Sequence, residues 1–220
     1  MNLQRKPAFY ITKRALSKVV VGMERVVTGS IPYMVTSYPA PKHRLEIWAV
    51  SGHLESFEAV LRLKAFNIES GEERQLKDKE KERSVHLKGN GMTELGSLDL
   101  GSDAGRIVVV AYLEDKGSGE VLARWVDWPE PLKYVTFKKG VQVKVQVEEG
   151  EREVRICADA PVKGVVLGVP VEEGVDAVWE DNFVDLVPGE TVCVGVEGLM
   201  GRGVKARWLC DWEEEEGFEL

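Results

Sequence analysis

Val141-Gln142-Val143-Lys144-Val145-Gln146-Val147 alternates apolar and polar residues without a break. Successive side chains of a β-strand point to opposite faces, so the four valines share one face and the polar residues take the other. Valine is β-branched: it packs well on a pleated surface and loses rotamer freedom in a helix. The run therefore reads as a strand with one face turned to a core. Glu148-Glu149-Gly150 then turns the chain, and residues 153–158 follow as the next strand. Residues 162–169, 177–179, 183–186, 191–196 and 204–209 bring the total to about seven short strands, at the ~8–12-residue spacing of an immunoglobulin-type sandwich. Pro188-Gly189 suits the centre of a type II turn, with proline setting φ and glycine accepting φ > 0. The like-charge run Glu213-Glu214-Glu215-Glu216 is expected to fray.

Upstream of the valine run, Trp128-Pro129-Glu130-Pro131-Leu132-Lys133-Tyr134 carries two prolines one residue apart. Proline removes a backbone donor and fixes φ, so this stretch cannot continue a ladder and marks a domain boundary. Ahead of it lie more strands. Residues 45–50 alternate, and residues 107–113, the Lys116-Gly117-Ser118-Gly119 turn and residues 121–128 form a hairpin. Residues 57–68 put Leu61, Leu63 and Ala65 opposite Arg62 and Lys64. A helix competes for that segment because Ala59–Ala65 is poor in β-branched residues. A strand is favoured because Glu69-Ser70-Gly71-Glu72 ends it as a hairpin turn, with residues 75–86 pairing back. Residues 9–18 are expected to form a short helix capped near Thr12, too short to stand alone. They read either as the tail of something packed upstream or as a docking turn onto the first sandwich. The fold expected is all-β: two tandem immunoglobulin-like sandwiches, residues 1–130 and 131–220, joined by a proline-containing linker.

Composition excludes several classes. The 220 residues are 44% hydrophobic and 30% charged, which suits a globular chain. Net charge is −8, and the acidic excess lies beyond the linker, so neither nucleic acid nor an anionic membrane finds a basic footprint. No apolar stretch approaches the ~20 residues of a membrane helix. No apolar h-region follows the charged opening, so no signal peptide is expected within these residues. Cys157, Cys193 and Cys210 form no C-x-x-C pair, their number is odd, and no N-x-S/T sequon occurs. A reducing, intracellular setting is expected from this.

Chemistry is sparse. Glycoside hydrolysis needs two carboxyls ~5–5.5 Å apart for retention or ~6.5–9.5 Å apart for inversion, in a concave site. The pairs Glu72-Glu73, Glu148-Glu149 and Glu172-Glu173 fall in turn-like contexts where nothing raises a pKa. His43, His53 and His86 have no metal-ligand spacing, and each Gly-x-Gly lacks a third glycine and a following helix. No catalytic residue, metal or cofactor is expected. Among the six tryptophans, Trp48 and Trp208 are read as core packing. Trp125 and Trp128 are read as wedges between the domains. Trp179 and Trp212 are the candidates for partial exposure and for stacking a sugar.

Several segments resemble the end of the β-mannosidases of glycoside hydrolase family 2, especially the fungal type. They are Phe9-Tyr-Ile-Thr-Lys-Arg-Ala-Leu16 with Val21-Gly22, Leu45-Glu-Ile-Trp48, and Trp128-Pro-Glu-Pro-Leu-Lys-Tyr134. In the last domain they are Asp181-Asn-Phe-Val-Asp-Leu-Val-Pro-Gly-Glu190 and Val204-Lys-Ala-Arg207. The resemblance implies that the chain corresponds to the last two β-sandwiches of such an enzyme. The acid/base and nucleophile glutamates would then belong to a barrel upstream of Met1, and none maps onto a position here. It implies an accessory role, with the catalytic barrel as partner. Two other readings stand beside it. One is a stand-alone module binding mannose-containing glycans through Trp179, Trp212 or tyrosines. The other is an interaction domain that self-associates through a patch around Phe9, Tyr10 and Leu16.

Overall fold

A computed structural model describes residues 5–28, 42–77, 81–170, 174 and 177–211. The chain divides into two compact units, Thr12–Thr136 and, so far as described, Met1–Ile11 with Phe137–Leu220.

The first unit is a sandwich of two antiparallel sheets. One holds β1 (Val19–Thr28), β2 (Lys42–Ser51) and β6 (Gly91–Asp99), in the order β1-β2-β6. The other holds β3 (Phe57–Asn67), β4 (Glu73–Arg74), β5 (Glu82–Leu87), β7 (Ile107–Asp115) and β8 (Val121–Asp127), in the order β4-β3-β7-β8 with β5 also on β3. Residues 57–67 are a strand, as the terminating turn implies, and β5 pairs back on them from Phe57↔Leu87 to Arg62↔Glu82. Alternation sets the core: Leu45, Ile47 and Ala49 of β2 face Leu61, Leu63 and Ala65 of β3 and Ile107, Val109, Ala111 and Leu113 of β7. Asp115 closes the β7–β8 hairpin by accepting the Gly117 N–H, the Ser118 N–H and the Ser118 hydroxyl, at 3.0, 2.7 and 2.9 Å. Those bonds, led by the Ser118 N–H, hold its carboxyl below the ordinary aspartate value.

The second unit repeats the plan with shorter strands. β9 (Val143–Val147), β10 (Glu153–Ala158), β12 (Val178–Trp179) and β14 (Val192–Glu197) form a sheet in the order β12-β14-β10-β9. β11 (Val162–Gly168), β13 (Val184–Leu186) and β15 (Lys205–Arg207) form the other, in the order β13-β11-β15. Val154, Ile156, Val165, Leu167, Leu186, Val194 and Val196 fill the space between them. β9 is an edge strand whose valines Val143 and Val145 pack half-buried against that core. Gly189 sits at φ 73°, in keeping with a type II Pro-Gly turn.

The helix α1 (Pro7–Ala15) departs from expectation in two ways. It begins at Pro7, whose fixed φ suits a first helical position, so Thr12 lies inside it rather than at its cap. Its Tyr10, 4% exposed, joins the core of the second sandwich rather than docking on the first. In the same unit Arg5 donates to the Trp179 carbonyl at 3.2 Å and lies 4.8 Å over the Phe9 ring.

Candidate functional site

Polar groups taken out of water are the natural place to look for chemistry, since burial is what shifts a pKa and pre-organises a nucleophile. Three polar side chains are buried among the described residues: Ser51, Asp127 and Asn182. Each is committed to the fold. Ser51 accepts the His53 N–H at 3.1 Å at the end of β2. Asp127 accepts from Arg25 Nε at 2.6 Å, and that guanidinium also donates to the carbonyls of Ala104 and of Ile107, the latter at 2.8 Å. Arg25 thereby binds β1 to β8 and to the entry of β7.

Asn182 explains the most specific sequence segment of the last domain. Its side-chain amide donates to the Leu167 carbonyl at 2.8 Å and accepts the Leu167 N–H at 2.8 Å, substituting for a strand partner beside β11. Its oxygen also accepts the Phe183 N–H at 2.8 Å. Three residues on, Asp185 accepts the Gly164 N–H at 2.7 Å and lies 3.4 Å from Lys163 Nζ. Gly164 adopts φ +66°, and a Cβ there would meet the Phe183 ring at 2.7 Å. The register of β11 on β13 shifts at this point, between Val162 and Val165. The Asp-Asn-Phe-Val-Asp-Leu run is thus a device that satisfies the backbone around a bulge.

The carboxylate pairs do not converge. Glu72 and Glu73 are exposed, Glu149 is exposed, and Glu148 is ion-paired with Arg155 at 3.1 Å. Glu172 and Glu173 lie outside the described residues. Asp159 is held below the ordinary aspartate value. Burial pushes it up, and the Gln142 N–H and Lys138 outweigh that push. A general acid needs the opposite displacement. Among the described residues no three His, Cys, Asp or Glu side chains gather as a metal site. The His86 ring pairs with Glu58 at 2.8 Å on an exposed sheet face, and the His53 ring meets Phe57 edge-on at 5.2 Å. Among the described residues no helix is long and apolar enough to cross a membrane.

The tryptophans redistribute. Trp179, expected to be partly exposed, is 2% exposed, because β12 turns its indole into the second core. It offers no face to a sugar. Trp212 lies outside the described residues. Trp208 packs half-buried against the second core, Trp128 is buried, and Trp125 is 37% exposed. Trp48, expected in the core, sits on the opposite face of β2 from Ile47 and Ala49, half-buried. Its neighbour across β1 is Gly22, and a Cβ on Gly22 would lie 2.6 Å from Trp48 Cε2. The alternation of β2 requires this placement: odd-numbered residues face inward, so residue 48 faces outward. Of the patch around α1, Tyr10 is buried, while Phe9 and Leu16 are 45% and 79% exposed.

Comparison with known proteins agrees with this architecture. The Mannosidase Ig/CBM-like domain family matches residues 43–134, and the Ig-fold domain family of mannosidases matches residues 138–207. β-Mannosidase B of Thermothelomyces thermophilus is 36% identical over 211 residues, and that of Aspergillus niger 32% over 203. The matches cover 89% and 90% of this chain, which spans 23% of the length of each of those proteins. Among solved structures, the β-D-mannosidase of Dictyoglomus thermophilum superposes with a TM-score of 0.69 at 19% identity, over 92% of this chain and 23% of that one. The exo-chitosanase CsxA of Amycolatopsis orientalis gives 0.54 at 14% identity, over 94% of this chain and 27% of that one. At such identities these two likenesses speak for the fold alone. By these matches the chain consists of a Mannosidase Ig/CBM-like domain followed by an Ig-fold domain, the two non-catalytic domains that it shares with 23% of the length of its β-mannosidase relatives.

Proposed function

We propose that the chain is a non-catalytic accessory module of a β-mannosidase, a pair of sandwiches that supports a catalytic part carried elsewhere. The observation that carries this reading is its coverage: relatives of up to 36% identity match nearly the whole chain with only 23% of their own length. The commitment of the three buried polar side chains among the described residues to backbone satisfaction or to an internal ion pair supports the same reading. In it, the catalytic part hydrolyses terminal β-D-mannose residues, and these sandwiches contribute stability and position. Cys157, Cys193 and Cys210 are unpaired, which supports placement in a reducing compartment.

A chimera tests the proposal. Replacing the corresponding segment of the T. thermophilus enzyme with these 220 residues should give a soluble enzyme that hydrolyses a chromogenic β-mannoside. Deleting the segment outright should give an insoluble or inactive one. A deletion that keeps full activity, or a folded chimera without any, would overturn it.

A further inference from the structure

Trp48 is a large aromatic that belongs to neither hydrophobic core. Its position follows from two residues that lie 26 apart in sequence and face one another in the sheet. Gly22 on β1 is its register partner, and the absence of a side chain there lets the indole atoms Cε2, Cζ2 and Nε1 settle within 2.6–2.8 Å of the place a Cβ would occupy. The glycine is a notch that seats the ring on the outer face of the β1-β2-β6 sheet.

The surroundings of this ring are two-sided. Two residues along the strands, about 7 Å away, the row Val20–Val50–Met92 crosses the sheet, with Val50 43% and Met92 56% exposed. On the other side the row is Glu24–Glu46–Ser97, and Glu94 stands directly across from Trp48 on β6. Glu24 and Glu46 are cross-strand partners of like charge, an arrangement that costs stability, and Arg44 offsets only part of it by pairing with Glu46. Nothing in the packing of the core calls for this face. Departures of this kind from local consistency tend to accompany binding.

We propose that this face is a carbohydrate subsite, with the Trp48 indole as the stacking platform and Glu24, Glu46 and Glu94 as acceptors for hydroxyl groups. The class of ligand follows from the chemistry. The carboxylates exclude an anionic ligand, and a seated aromatic face flanked by acceptors fits a neutral pyranose with one C–H-rich side. β-Linked hexopyranosides of gluco or manno configuration have that shape, with axial C–H bonds at C1, C3 and C5 on a single face. Indole rings carry a large apolar area with a polar handle, which suits stacking at a wet surface. This subsite does not depend on the chain serving an enzyme, and it differs from the sequence candidates Trp179 and Trp212.

The test uses the whole chain with nitrogen-15 in its indoles, titrated with β-1,4-mannotriose and, separately, with cellotriose. The Trp48 Nε1–H resonance, assigned through Trp48→Val, should shift saturably at millimolar trisaccharide while the indoles of Trp179 and Trp208 stay still. Glu24→Gln with Glu46→Gln should weaken binding several-fold. Trp48→Val should abolish it and leave the remaining indole resonances in place, which shows the fold is kept. No shift with either sugar, or a response that survives Trp48→Val, would overturn the proposal. So would a Trp48 resonance that moves on dilution and ignores sugar, because that marks the face as a contact between protein molecules.

Discussion

The two sandwiches solve one problem by different means. In the first, the main strands are long: β1 and β2 pair over ten residues and β3 runs for eleven, so the ladders satisfy most of the backbone, and side chains such as Arg25 and Asp115 serve only its turns and strand entries. In the second, β12 has two residues and β13 and β15 have three each, which leaves backbone groups with no strand beside them. Side chains take over that duty. Asn182 pairs with both polar groups of Leu167, Asp185 caps Gly164, and Asp159 accepts the Gln142 N–H at 2.9 Å. The second core also takes in Tyr10 from far outside its own stretch of sequence. A sandwich of short strands is thus held by particular side chains, while one of long strands tolerates more change.

Mutations separate the two cases, and the largest effect is expected at Tyr10. Tyr10→Ala removes a buried aromatic from the second core and should cost about 3–5 kcal/mol. Hydrogen exchange followed segment by segment should show protection lost across β10, β11 and β14 and retained across β2, β3 and β7. Next comes a comparable dependence in the first unit. Arg25→Ala removes the ion pair to the Asp127 carboxylate, whose side chain is 10% exposed, together with the bonds to the Ala104 and Ile107 carbonyls, and should cost about 3 kcal/mol in denaturant unfolding of the first sandwich. Asn182→Ala leaves the Leu167 N–H and carbonyl unpaired in the second sandwich and should cost about 2 kcal/mol by the same measurement.

Glycine replacements refine the contrast, since both sandwiches seat an aromatic on a glycine. Gly164→Ala meets both an unfavourable φ of +66° and the Phe183 ring, and should lower stability by about 1–2 kcal/mol. Gly22→Ala meets only the movable, half-buried Trp48 ring. It should shift the thermal midpoint less than Gly164→Ala does while displacing the Trp48 indole resonance.

The smallest effect is with pH. Asp115 in the first sandwich and Asp159 in the second both have folded-state values below the ordinary 3.8. A lowered carboxylate stabilises the fold above its unfolded value and loses that contribution as pH falls through the folded one. Stability should therefore decline below about pH 4 in both units, and Asp159→Asn should flatten the decline in the second alone.

The strands were readable because their signal is local. The period of two in Val141–Val147, and the turn closing residues 57–67, needed no knowledge of the rest of the chain. What escaped depended on pairing between distant residues. Val21-Gly22 and Leu45-Glu46-Ile47-Trp48 stand as separate segments in the sequence, and only the β1–β2 register makes Gly22 the seat of Trp48. Strict alternation already placed residue 48 opposite Ile47. Tryptophan's usual burial argued the other way, and the strand period prevailed. Trp179 failed for the converse reason, since a two-residue strand is too short to declare a period. Tyr10 could not be assigned from its own neighbourhood, because the core it joins begins more than 130 residues later.

The central claim, that these residues build two sandwiches without a catalytic centre, is tested most directly by assaying the purified 220-residue chain with a chromogenic β-mannoside. The account predicts no turnover above that of buffer at any pH at which the fold persists. Turnover that co-purifies with the chain and vanishes on replacing one of its own glutamates would contradict it.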